Sequence, residues 1–192
     1  MTGTPEPRIP IIRVDYQAGI FFNTMTGEVL QEISGAIMLE FQKNWVLWPE
    51  WTGRASMPMC VDGSDTTRGK CEDCKLRQWH LETPPRCSEE LSVVLQTGNM
   101  LVLLVARRGM SRPLEQWIEM QNIMGNPLHG QELTLRLIKD YRNPNAELHR
   151  ISVLPGRFLT REELEGNVKL RTQGNPLDSG LKSVQEQAPS EA

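Results

Sequence analysis

Apolar positions along this chain come in short runs separated by turn residues, and only one stretch shows the three-to-four spacing of an amphipathic helix. Residues 9–14 (IPIIRV) and 19–23 (GIFFN) are β-branched or aromatic and flank residues 15–18, which predicts two strands joined by a turn. Residues 27–41 carry Val29, Ile33, Ile37, Met38, Leu39 and Phe41 around Gly35. They are ambiguous between a broken helix and a strand, and we favour a long strand with a bulge at the glycine. Residues 44–47 (NWVL) continue the sheet until Pro49 stops it. Further on, residues 91–96 and 100–106 flank Thr97-Gly98-Asn99, a turn of hairpin length.

The helical stretch follows. Ser111 is a capping residue, Pro113 sits near the first turn and Glu115 is acidic close to the N-terminus; Leu114, Trp117, Ile118 and Met124 form a partial stripe that ends at Gly125. Residues 132–138 (ELTLRLI) then alternate with period two, and residues 148–154 do so less strictly, with Asn143-Pro144-Asn145 as the turn between them. Thr160 and Glu163 have the spacing of a capping box for a last short helix over 161–170.

This order predicts a mainly β protein, a small barrel or sandwich with one or two short helices; an OB-like five-stranded Greek-key barrel fits it. Residues 1–8 read as a flexible N-terminus and 9–171 as one β-rich domain with a Cys-rich insert at 52–90. Residues 172–192, rich in Gly, Pro, Ser and Gln, read as a disordered tail. A length of 192 residues suits one such domain with its ends. The longest apolar run, residues 100–106, is far too short to cross a membrane as a helix. The first residues lack a basic then apolar leader, so a cytoplasmic setting is expected, without a membrane partner.

The insert brings in chemistry. Cys60, Cys71, Cys74 and Cys87 are spaced C-x10-C-x2-C-x12-C, and the central C-x2-C lets two sulfurs face one point, as in zinc knuckles. The intervening residues are mostly Gly, Ser, Thr, Asp and Pro, too poor in apolar groups to order themselves by burial, so a structural Zn²⁺ is a sensible staple. Four thiolates would close the site to water and make it structural. Disulfides and a redox or iron–sulfur role are the competing readings, and His80 is an alternative ligand in a C-x2-C-x5-H-x6-C array.

Charge is unevenly spread. The formal net charge is −3, yet residues 91–159 hold eight basic against five acidic side chains, and Arg107, Arg108, Arg112, Arg136, Arg142, Arg150 and Arg157 outnumber the single Lys139. Arginine suits forked phosphate contacts and base stacking. Trp45, Trp48 and Trp51 crowd the sequence just before the insert, and Trp79 lies within it. Aromatic faces of this kind stack on single-stranded bases, although large aromatics beside a poorly cored loop also pack beneath it. Nothing resembles a nucleophile elbow, a phosphate loop or a zinc-protease motif; the three His are scattered, and no catalytic residue is assigned.

The IPIIRVDYQAGIFF opening, GEVL, WVLWP, GKCEDC, Trp79 and PPRC over residues 9–158 resemble small single-stranded DNA-binding proteins of bacteriophage and prophage replication or recombination modules. The resemblance implies an OB-like fold, a zinc-binding insert and DNA binding without sequence specificity in the host cell cytoplasm. Replication or recombination proteins would be partners, and a homo-oligomer is compatible. Many such proteins end in a strongly acidic tail with an apolar anchor, whereas this chain ends Pro-Ser-Glu-Ala. The candidate nucleic-acid residues are Trp45, Trp48, Trp51, Trp79, Arg107, Arg108, Arg136, Lys139, Tyr141, Arg142 and Arg150, with Cys60, Cys71, Cys74 and Cys87 on the metal. The alternative is a zinc-containing protein–protein adaptor docking on a host or replication enzyme, with a metal-dependent nuclease behind both.

Overall fold

The long strand predicted around Gly35 organises the molecule. The computed structural model of the protein describes residues 9–47, 59–62, 71–78, 80, 83, 85–107, 109–141 and 148–172. Among them the strands are β1 (Ile11–Asp15), β2 (Ile20–Asn23), β3 (Val29–Leu30), β4 (Glu32–Leu47), β5 (Cys60–Val61), β6 (Cys87–Thr97), β7 (Met100–Arg107), β8 (Gln131–Lys139) and β9 (His149–Phe158). Two helices accompany them, α1 (Arg112–Met124) and α2 (Arg161–Thr172). The mainly β expectation holds. The sheet is larger than a five-stranded barrel, with nine strands in the order β3-β2-β1-β7-β6-β4-β8-β9 and β5 on the side of β4.

β4 pairs with β8 through residues 32–37 and with β6 through residues 36–47. It serves two neighbours in succession because it bends. Its register shifts between Ile33 and Ala36 and again between Met38 and Glu40, and Gly35 sits at φ +60°, where a side chain would be strained. β6 and β7 form the expected hairpin, and β1 joins the far side of β7 in the sheet's parallel pairing. α1 lies between β7 and β8 in the chain and packs on β9, the last strand of the path.

The curl brings the ends of the path toward one another. The His149 backbone N–H donates to the Tyr16 carbonyl at 2.7 Å, joining the start of β9 to the β1–β2 turn. The Ile151 N–H reaches the Met110 carbonyl at 3.2 Å, joining β9 to the segment before α1. The His149 ring lies so close to Gly19 that a Cβ there would come within 2.8 Å of it, and Gly19 has φ +69°. Only glycine suits both constraints.

The curled face holds the main core. Leu91, Val93 and Leu95 of β6, Leu104 of β7, Leu133 and Leu135 of β8 and Ile151 of β9 meet Leu114, Trp117 and Ile118 of α1. Ile11, Leu39, Val94 and Leu103 form a second buried cluster. Val93 and Val94 are adjacent yet both fully buried, so β6 is covered on both faces there, and Val93, Val94 and Leu95 form an unbroken apolar run and not an alternation.

Both helix ends follow their local chemistry, with one difference. Gly125 closes α1 in the left-handed conformation at φ +69°, as its position after the stripe predicts. The Ser111 hydroxyl, expected to cap backbone, instead donates to the Glu115 carboxylate at 2.7 Å. The α2 capping box forms: the Thr160 N–H donates to Glu163 Oε2 at 2.7 Å, and the Glu163 N–H returns to Thr160 Oγ1. The turn at 143–145 lies outside the described residues, as do residues 1–8 and 173–192.

Candidate metal centre and nucleic-acid interface

Partners in a β-ladder share a face. Leu47 is opposite Cys60 of β5 on one side and Cys87 of β6 on the other, so both thiols stand on the face of Leu47, flanking it. Two strand spacings, about 10 Å, separate their backbones. Cys71 opens the first of two 3₁₀ turns, Cys71–Asp73, and Cys74 stands between it and the second, Lys75–Arg77. The Cys74 N–H donates to the Cys71 carbonyl at 3.3 Å and the Arg77 N–H to the Cys74 carbonyl at 3.0 Å, so the C-x2-C segment is folded back as a knuckle. Glu72 and Asp73 face solvent while both cysteines are half-buried.

These turns lie against the same end of the sheet. The Arg77 guanidinium is 4.4 Å from the centroid of the Trp45 ring, and Trp45 is two residues before Leu47 and therefore on its face. Asp62, just after β5, accepts the Trp45 backbone N–H at 2.6 Å. Burial pushes the Cys71 thiol above its ordinary pKa; Arg77 pulls it down, and Asp62 and Cys60 push it further up. Those influences place Cys71 within electrostatic reach of Cys60.

None of the four cysteines is in a disulfide. Among the described residues no group of three or more His, Cys, Asp or Glu stands close enough to hold a metal ion in this arrangement. The topology thus gathers the four thiols at one end of the sheet without bringing them to a common point. His80 is exposed, with its N–H and carbonyl paired to Thr83.

The basic candidates divide. Arg136 is engaged by Glu32, and Arg157 is held by Glu132 at 2.8 Å and Glu163 at 2.7 Å. Arg107 has Nε 3.9 Å from Glu90. The arginine-rich segment is therefore partly neutralised by carboxylates, some of them from outside the segment, which the segment count could not show. Lys139, Tyr141 and Arg150 gather at the β8–β9 end: Lys139 is opposite His149, Ile138 is opposite Arg150, and Tyr141 is 82% exposed just beyond. Trp48, Trp51, Trp79, Arg108 and Arg142 lie outside the described residues.

Tyr16, which no motif marked, links the two ends of interest. Its hydroxyl accepts the Arg107 N–H at 3.0 Å, and its carbonyl accepts the His149 N–H. Arg107 is in turn opposite Glu90, close to the point where the chain leaves the Cys-rich insert. Burial pushes the Tyr16 phenol up to about 12; the Arg107 N–H opposes this and the Glu90 charge adds to it, so the hydroxyl stays protonated. Only the extended, aromatic character of the first hairpin hinted at such a role.

No helix among the described residues is long and apolar enough to cross a membrane. No protein-family model, curated protein or solved structure matches the chain.

Proposed function

We propose that this chain is an OB-like, non-enzymatic protein that binds single-stranded DNA without sequence preference in replication or recombination of a phage or mobile element. One observation carries the reading. Within the sheet, β7-β6-β4-β8-β9 is a five-strand path whose first strand in chain order, the bent β4, lies in the middle. β4 pairs with the second strand and with the fourth, and α1 falls between the third and fourth. This connectivity supports the OB-like reading, with β1–β3 as additions beside the third strand. OB folds bind oligonucleotides over strands two and three and with the loops after strands one and four. Here those connections are residues 48–86, which include most of the Cys-rich insert, and residues 140–148; they hold Trp48, Trp51, Trp79, Tyr141 and Arg142, and Lys139 and Arg150 stand on the strand ends beside the second.

In this reading Lys139, Arg150 and Arg107 contact phosphates and exposed Tyr141 stacks on a base. Trp45 has one ring face taken by Arg77, so its first duty is to pin the insert. Cys60, Cys71, Cys74 and Cys87 hold a structural Zn²⁺ that orders the insert. Loading would release protons, because metal binding requires thiolates and burial keeps Cys71 protonated.

Titration with poly(dT), followed by Trp fluorescence, tests the reading. Quenching at low salt that fades steeply as salt rises is expected, since neutralised phosphates release counterions. No quenching at low salt would sink it. The adaptor reading draws on one feature, the apolar side chains that α1 offers to solvent, Ile123 at 87% exposure with Met120 and Met124.

A further inference from the structure

The outer edge of β9 carries an inference that does not rest on the nucleic-acid reading. β9 ends the sheet path, with β8 on one side and, among the described strands, none on the other. In an antiparallel ladder the main-chain groups of alternate residues turn to opposite sides. The His149 and Ile151 N–H groups turn away from β8, and the Tyr16 and Met110 carbonyls accept them. Val153, two residues on, turns its N–H and carbonyl the same way, and among the described residues nothing accepts that N–H. Pro155, next in the same set, has no N–H to leave open, and a register shift follows it.

A groove of about 290 Å³, at the small end of ligand pockets, runs beside this edge. Ser152, Val153 and Pro155 line it from β9, and Pro113, Trp117 and Met120, spaced as one helical stripe, line it from α1. Arg150 is the charged residue on its walls, and among the described residues lining it none is acidic. Arg107, Arg136 and Arg157 each have a carboxylate nearby, whereas Arg150 has none among the described residues. An open main-chain edge, an apolar wall and an unpaired positive charge thus meet in one groove.

We propose that this groove takes an extended segment of a partner protein as an added antiparallel strand, an apolar residue flanked by acidic ones. The apolar residue stands opposite Val153 and exchanges both main-chain hydrogen bonds with it. Opposite residues share a face, so its side chain lies with that of Val153, which packs against the core cluster that contains Trp117. Its neighbours lie on the other face, that of Ser152 and Arg150, where a carboxylate meets positive charge. Met120, unbranched and 44% exposed, is the wall that adjusts on entry. With Pro155 limiting the ladder, the contact is short and its affinity low.

The test uses the full chain labelled with ¹⁵N-valine and the peptide acetyl-Thr-Glu-Val-Glu-Thr-amide. The Val153 amide signal is identified by its loss in Val153→Ile. The expected result is a saturable shift of that signal at about millimolar peptide, as the N–H gains an acceptor. N-methylation of the peptide's valine removes the returning hydrogen bond and should weaken binding by about tenfold or more. Lysines in place of the two glutamates, Arg150→Gln and Met120→Glu should each weaken it by about threefold or more. Unchanged signals from the buried Val93 and Val94 report that each variant is folded. No saturable shift of Val153 overturns the site, and equal binding of the N-methylated peptide overturns strand addition. Equal binding of the lysine peptide, or undiminished binding in folded Arg150→Gln, overturns the acidic partner. A dimer of the free chain that Met120→Glu separates would give the groove to a second copy and overturn the proposal.

Discussion

The curled sheet and the Cys-rich insert are ordered by different physics. At the centre of the sheet, β4, β6 and β7, of eight to sixteen residues, pair side by side, and side chains such as Val93, Leu95 and Leu104 are fully buried. In the insert, neither 3₁₀ turn contains a buried residue, and the strand is two residues long. Polar contacts hold its described part, among them Arg77 on Trp45, Asp62 on the Trp45 N–H, and two ladder positions against Val46 and Leu47. Burial scales with apolar area, and the insert has little to bury. A region of that composition depends on point fixings, and four thiols at one sheet end are the strongest fixing available to it.

The largest effect should come from the sheet. Leu104→Ala removes a fully buried side chain from the main core and should cost about 3 kcal/mol, read as a lower urea midpoint. A loss below about 1 kcal/mol would show that the core relaxes around the cavity and that the contrast with the insert is overstated.

A smaller and localised effect should follow removal of the proposed Zn²⁺. Chelation, or Cys71→Ser, should abolish hydrogen-exchange protection over residues 60–62 and 71–78 while leaving the urea midpoint of the sheet within about 1 kcal/mol of its starting value. Collapse of the whole sheet on chelation would erase the distinction between the regions. A purified protein without zinc, whose four thiols all titrate at once, would remove the staple itself.

The smallest effect concerns α2, outside both regions. Arg157, with the Thr160 backbone and hydroxyl, holds the Glu163 carboxyl down to about 2. A lowered folded pKa contributes stability above the ordinary carboxylate range and loses it as pH falls through the folded value. The α2 amide signals should therefore loosen as pH drops from about 4.5 toward 2, and Glu163→Gln should remove that dependence while leaving the core signals unmoved. A retained transition in Glu163→Gln would assign it to another carboxylate.

Much of the fold was legible because its signals are local. Alternation in residues 132–138, the glycine turn at 98, the Thr160 and Glu163 spacing and the left-handed Gly125 each depend on neighbours in sequence, and each forms as expected. The bulge at Gly35 was legible as well, but not its consequence, that the bend allows β4 to pair with β6 and β8 in turn. The cysteines were visible as a group. That Cys60 and Cys87 flank one residue, Leu47, required the strand order.

Sequence by itself determined where strands, turns and helix ends lie and which residues carry thiols, rings and charge, because those properties belong to single residues and short windows. Tertiary structure decided which of them act together. It tied Arg136 and Arg157 to carboxylates far along the chain, set Tyr16 between Arg107 and His149, and turned the Val153 N–H to a sheet edge where no described residue accepts it. Such relations arise from strand order and burial, where two residues meet because the sheet curls, and no local pattern records that curl.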